Sequence, residues 1–194
     1  MEKIIEYHPL APFLPVNAKI LILGSFPPPL QRWSMNFYYP NFQNDFWRIM
    51  GIVFHDNQNY FFHSDKKAFN ELLIRDFCME KGIAISDTAK AVIREKNNAS
   101  DNSLSICELM NIQEILQKIP ECKVIVTTGQ KATSGLSEIL GVQEVAIGES
   151  KQLNYSEHEL NWFRMPSTSR AYPKPLLEKA QVYARMFKSL NFTK

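Results

Sequence analysis

Apolar residues fall along the chain in short unbroken runs separated by stretches of helical period. The runs are Ile20-Leu21-Ile22-Leu23, which stops at Gly24-Ser25, then Gly82-Ile83-Ala84-Ile85-Ser86, then the β-branched Cys122–Thr128. Runs of that length closed by turn residues are the mark of strands buried on both faces of a parallel sheet. Val142–Ile147 and Gln152–Met165 predict shorter strands. A helix opens at Asp45 with Asn44 as its N-cap. Ser64–Phe77 predicts a second, with Ser64 as cap and Ala68, Leu72 and Leu73 on one face. Asn111–Ile119 presents Ile112, Ile115, Leu116 and Ile119, and another helix starts after a tight turn at Gly129. Pro173–Leu190 places Leu176, Leu177, Ala180, Ala184, Phe187 and Leu190 inward and its basic residues outward.

Residues 1–17 carry Pro9, Pro12 and Pro15 and predict an extended arm, and the polar Arg94–Ser105 predicts a surface loop. Alternating strands and helices then imply a three-layer α/β/α sandwich around a central, mostly parallel four-stranded sheet, with right-handed connections. Ligands bind such sheets at the carboxyl ends of the strands. The loop after Gly24 sits there. It begins with the stiff turn Phe26-Pro27-Pro28-Pro29 and continues through Arg32, Trp33, Asn36, Phe37, Tyr38, Tyr39, Phe42 and Asn44. Any one of those aromatics could simply cover the sheet. Together, on a turn whose prolines fix the backbone, they predict a preorganised pocket for a flat polar ligand.

The strand, the G-S-F-P-P turn, the F-Y-Y segment and the N-D-F-W helix start resemble the uracil-DNA glycosylase superfamily, most closely its hypoxanthine-DNA glycosylase branch. Met165-Pro166-Ser167-Thr168-Ser169 is similar to that branch's L-P-S-T-S, Gly82–Asp87 to a third segment, and Asp101–Ser103 more loosely to a fourth. The resemblance implies removal of a deaminated base, hypoxanthine or uracil, from DNA by a monofunctional N-glycosyl hydrolase in base-excision repair. It implies a base pocket of Gly24, Ser25, Phe26, Pro27, Tyr38 and Tyr39, with Asn44 as the catalytic, water-orienting residue. Ser167, Thr168, Ser169, Arg170 and Lys174 are the expected DNA contacts. Departures are clear: Phe26 stands where other branches carry an Asp or Asn, and Met165 where they carry a His or Asn. Pro40-Asn41-Phe42-Gln43 replaces a G-H-containing loop, and Arg170 replaces a Pro. Asp45 and Asp87 are the carboxylates to examine if Asn44 does not position the water.

Composition narrows the classes. With 194 residues, 45% apolar and 22% charged, the chain reads as one globular domain and a monomer. No apolar run approaches the ~20 residues of a membrane span, and Met1–Glu6 lacks a signal-peptide pattern, so a cytoplasmic location is expected. Cys78, Cys107 and Cys122 form no C-x-x-C pair and read as buried thiols; three cysteines cannot hold a four-cysteine iron–sulfur cluster. The four histidines, His8, His55, His63 and His158, show no metal-ligand spacing, and no cofactor or metal is expected. Net charge is +2, yet seven bases face one acid from Arg164 to Lys194, leaving the rest at −4. A basic end on an acidic body suits a phosphate backbone, though a solvated amphipathic helix would read the same way. The competing readings are a weak or inactive module that recognises deaminated bases, and a hydrolase of free nucleosides.

Overall fold

A computed structural model describes residues 4–94 and 104–193. Its centre is a five-stranded sheet in the order β3-β2-β6-β8-β7. β2 (Ile20–Gly24), β3 (Ile83–Asp87), β6 (Val124–Thr128) and β8 (His158–Met165) run parallel; the first three fall on expected strands, whereas the single strand expected over Gln152–Met165 is a hairpin of which β8 is the second arm. A fifth, β7 (Ser150–Tyr155), is added antiparallel to β8 through a tight hairpin. β2, β3 and β6 are buried throughout, which explains their unbroken apolar runs. One strand expected over Val142–Ile147 does not form; that segment is an irregular connection.

Helices cover both faces. Ile20 and Ile22 pack with α1 (Phe46–His55), α2 (Glu71–Lys81) and α5 (Leu176–Ser189), whereas Leu21 and Leu23 pack with α3 (Ile112–Lys118) and α4 (Gln130–Leu140). Residues two apart on a strand face the same side, so β2 alone supplies both cores. Asn111 caps α3 through its side chain. The second helix starts later than Ser64: Asn70 accepts the Leu73 N–H, and Ile74, Phe77 and Cys78 face inward while Leu72 is 70% exposed. In α5, Leu177 is also exposed, and one residue expected outward is not: Lys179 is 1% exposed.

A second sheet was not legible. β1 (Ile5–Tyr7), β4 (Ala89–Arg94) and β5 (Leu104–Leu109) form an antiparallel three-stranded layer. The extended arm is therefore a strand followed by a bridge, in which Phe13 and Ile85 exchange both backbone hydrogen bonds at 2.9 Å. Arg94 and Leu104–Ser105, expected in a loop, belong to β4 and β5; residues 95–103, with Asp101–Ser103, lie outside the described residues. No helix among the described residues is long and apolar enough to cross a membrane.

Candidate nucleic-acid site

The parallel strands end on one rim, at Gly24, Asp87, Thr128 and Met165. A cavity of about 730 Å³ opens there, within the size range of small-ligand sites. Gly24 to Pro27, Tyr38, Tyr39 and Asn44 line it from one side, and Ser167 to Arg170 from the other. The two segments are physically joined: the Asp45 amide donates to Thr168 O at 2.9 Å.

The proline turn is clamped from outside. Trp33 Nε1 donates to Pro28 O at 2.8 Å, and the Arg94 guanidinium donates to Pro27 O at 2.9 Å while paired with Glu6. Phe26 is 7% exposed, packed with Ala89, Val92 and Leu104, and its ring meets the His8 ring edge-on at 5.2 Å. Its amide N–H is given no acceptor by any described residue. Tyr38 is more a core residue than a wall: its hydroxyl donates to Ala11 O, Trp47 donates to its carbonyl, and burial pushes its phenol far above the usual range. Tyr39 is the wall. It takes a left-handed backbone at φ 53°, stacks on Phe46 at 3.9 Å and places its hydroxyl 2.7 Å from Thr128 Oγ1.

Asn44 precedes the cap residue Asp45, and its Oδ1 accepts the Phe46 N–H at 2.9 Å. The predicted capping chemistry is thus present, one residue displaced. It also fixes the amide, with the oxygen toward the helix and the NH₂ as the remaining donor end. Arg48, which lines the neighbouring cleft, holds the same loop by donating to Phe42 O and Asn44 O. Its guanidinium lies 4.8 Å from the Phe42 ring centre and 4.7 Å from that of Phe62. Burial, then the Arg170 charge, lower its pKa from the ordinary value.

Asp45 is occupied. Lys179 Nζ lies 3.0 Å from Oδ2 and also donates to Ser169 O at 2.8 Å, and Arg170 Nε is 3.5 Å from Oδ1. A carboxylate paired this way serves as a bolt between the two segments. Thr168 is likewise buried and contributes its carbonyl to that bolt. Ser167 Oγ accepts the Ser169 N–H and Ser169 Oγ accepts the Ala171 N–H, both at 3.2 Å, so each hydroxyl hydrogen remains to be donated. Gly129, at φ 92°, makes the close turn expected of it. A Cβ there would meet Ser167 Cβ at 3.2 Å.

Arg170 is half exposed and Lys174 partly exposed, the latter 3.5 Å from Glu178. With Arg48 and Lys179 they surround a second cleft of about 430 Å³ beside the cavity, where the acid among the lining residues is Asp45. Of the basic residues counted from Arg164 to Lys194, Arg170, Lys174 and Lys179 line this cleft, joined by Arg48 from α1. The cysteines do not: Cys78 and Cys122 are buried, and Cys107 is exposed on β5, contrary to expectation. Sequence reasoning also missed His8, whose Nε2 is 2.8 Å from Asp87 Oδ2. No local pattern announced it, since the partners lie 79 residues apart. Arg48 and Lys179 had a weak signal, as cations within otherwise inward helical positions.

These layers and this rim define an α/β fold with a mostly parallel central sheet flanked by helices. A structure with this fold, determined by solution NMR, is that of a candidate uracil DNA glycosylase from Methanosarcina acetivorans. The two chains superpose with a TM-score of 0.60 and share 23% identity over 97% of this chain and 99% of that one. No family model and no curated protein matches the chain.

Proposed function

We propose that the chain is a DNA glycosylase that hydrolyses the N-glycosidic bond of a flipped-out deaminated base, hypoxanthine or uracil. The observation that carries this reading is the single cavity that collects Gly24–Pro27, Tyr39 and Asn44 on one side and Ser167–Arg170 on the other. A base must leave the stack before its bond to the sugar can be reached. In that cavity Phe26 stacks on it, a contact of about 1–3 kcal/mol, and the Phe26 amide donates to the charge that gathers on the departing base. Water attacks C1′ as the C–N bond breaks, the bonding pair leaves with the base, and the proton that the water gives up passes to the released base. Asn44 is no base, but it orients that water, and orientation is a large part of what a nearly formed sugar cation needs.

Ser167 and Ser169 donate to the flanking phosphates, Lys174 adds charge, and Arg170 enters the duplex where the base stood. The likeness to the Methanosarcina acetivorans structure agrees with this reading at the level of fold. A recognition module without hydrolysis is favoured by one observation, that Asp45 is neutralised and the Asn44 oxygen is engaged with Phe46.

The test is incubation of excess protein with labelled duplexes holding one hypoxanthine, uracil or xanthine, followed by alkali and a search for strand breaks. Breaks at one of these bases, lost in Asn44→Ala, support the glycosylase and its water-orienting residue. Breaks that persist in Asn44→Ala discard that residue. Binding without breaks supports the recognition module.

A further inference from the structure

In the second cleft, of about 430 Å³, Arg48 is a cation that its own surroundings leave incomplete. The residue is only 7% exposed, yet no carboxylate among the described residues forms an ion pair with it. Its Nη1 donates to the Phe42 and Asn44 carbonyls, and the flat group is held over the Phe42 and Phe62 rings. Nε and Nη2 have no hydrogen-bond partner among the described residues. A buried cation met only by neutral groups is costly, and an anion that completes the pair stabilises it. Asp45, the acid among the lining residues, is already taken by Lys179 and Arg170. The remaining polar walls are donors. Lys174 is partly exposed and 3.5 Å from Glu178, and the exposed Gln58 and Asn59 have side chains without a partner among the described residues.

Four cations and one acid around an open cleft describe an anion site. A planar guanidinium edge with an ammonium and side-chain amides beside it matches the several oxygens of a phosphate better than the pair on a carboxylate. We propose that the cleft binds a backbone phosphate of DNA, with Arg48, Lys174 and the Gln58 and Asn59 amides as donors. The inference rests on the reading of the cavity as the place of a flipped nucleotide, and it adds a course for the strand beyond that nucleotide. Arg170 lines both hollows, whereas Ser167 and Ser169 line only the cavity. The phosphate in the cleft is therefore one further along than those that flank the flipped sugar. After burial, the charge of Arg170 is what most disfavours charged Arg48, and an anion in the cleft relieves that repulsion. Arg48 also holds the Asn44 carbonyl, so the grip on the strand and the placing of the water-orienting residue share one side chain.

The experiment uses duplexes with one hypoxanthine in which single phosphates, taken in turn along both strands, are replaced by uncharged methylphosphonate. Binding is read by fluorescence anisotropy across a range of salt. The wild type is expected to lose about five- to tenfold in affinity at one phosphate beyond those next to the lesion. Lys174→Ala and Asn59→Ala each weaken binding of the unmodified duplex by about three- to tenfold, and Lys174→Ala lowers the slope of log K against log salt by about 0.9. The distant methylphosphonate then costs Lys174→Ala less than about twofold more, while Ser167→Ala still loses the full amount. An equal loss in Lys174→Ala and wild type at every phosphate overturns the assignment, as do an unchanged affinity and slope in both cleft variants. None of these readings needs base release. A duplex that is bound in this way but never cleaved sinks the hydrolysis and upholds the phosphate site, whereas base release with no distant phosphate effect does the reverse. Inorganic phosphate titrated into isotope-labelled protein and followed by NMR is the second arm. Saturating shifts at Asn59, in a protein whose duplex binding ignores Lys174 and Asn59, mark the cleft as a site for free phosphate or an acidic partner and overturn its assignment to DNA.

Discussion

Replacing Lys179 by Met tests whether the bolt between the two cavity segments has the energetic role its geometry implies. The ammonium is 1% exposed, 3.0 Å from Asp45 Oδ2 and 2.8 Å from Ser169 O. Removing one partner of a buried ion pair costs about 3–5 kcal/mol, because the other charge is left without compensation. Arg170, 3.5 Å from the other carboxylate oxygen and half exposed, offsets part of the loss, which places the expectation near 3 kcal/mol. For a chain of this length that corresponds to a fall in Tm of about 6–12 °C. Urea unfolding followed by far-UV circular dichroism gives the free energy, with an unchanged m-value showing that both proteins unfold by the same amount. The double variant Asp45→Asn/Lys179→Met removes both charges and is expected to be more stable than Lys179→Met alone. A single-variant cost under about 1 kcal/mol, or a double variant that is merely additive, refutes the reasoning.

Gly24→Ala should be expensive for function, since its Cβ would sit 2.4 Å from Asp87 Oδ1; loss of preference for a duplex with a deaminated base, with binding of undamaged duplex retained, checks it. Native alkylation with iodoacetamide should label one cysteine, Cys107, because burial pushes the Cys122 thiol up to about 12 and the Cys78 thiol higher still; mass spectrometry showing two or more labels would sink the idea. His55 stacks on Tyr60 at 3.5 Å, and its buried Nε2 has no hydrogen-bond partner among the described residues. Burial lowers its pKa from 6.5, so the folded state disfavours the charged ring. The stability it contributes is present above pH 6.5 and is lost as pH falls from there toward the depressed folded value. Unfolding midpoints between pH 5 and pH 8 should therefore show a slope that His55→Gln flattens.

The parallel strands were legible because burial on both faces leaves an apolar run that no helix of that length needs. α3, with Asn111 in front of Ile112, was legible for a similarly local reason, a cap followed by a helical period. What escaped was set by partners far away. Lys179 lies on a helix whose other bases are solvated, and only a carboxylate 134 residues earlier draws it inward. Leu72 and Leu177 face solvent because the buried stripes run through Ile74, Phe77 and Cys78 in α2 and through Ala180, Tyr183 and Phe187 in α5, on another face of each helix. β4 and β5 alternate buried and exposed residues too irregularly to announce a hairpin, and their register shifts near Ala91 show why. The cavity's first segment could be read as a site since its prolines and aromatics are local; His8 could not, since nothing in Tyr7-His8-Pro9 names its partner.

The arm that carries His8 has one more consequence. A sheet in the order β3-β2-β6-β8-β7 has two open sides, and an unpaired strand edge is a template on which another chain can add. On the β7 side the danger is blunted by the exposed Lys151 and by polar neighbours. On the β3 side the guard is the arm itself, through the paired bonds of Phe13 and Ile85. Detaching that stretch would uncover β3 just as it releases Asp87. Self-association is then expected to rise, visible as a growing high-mass fraction in light scattering.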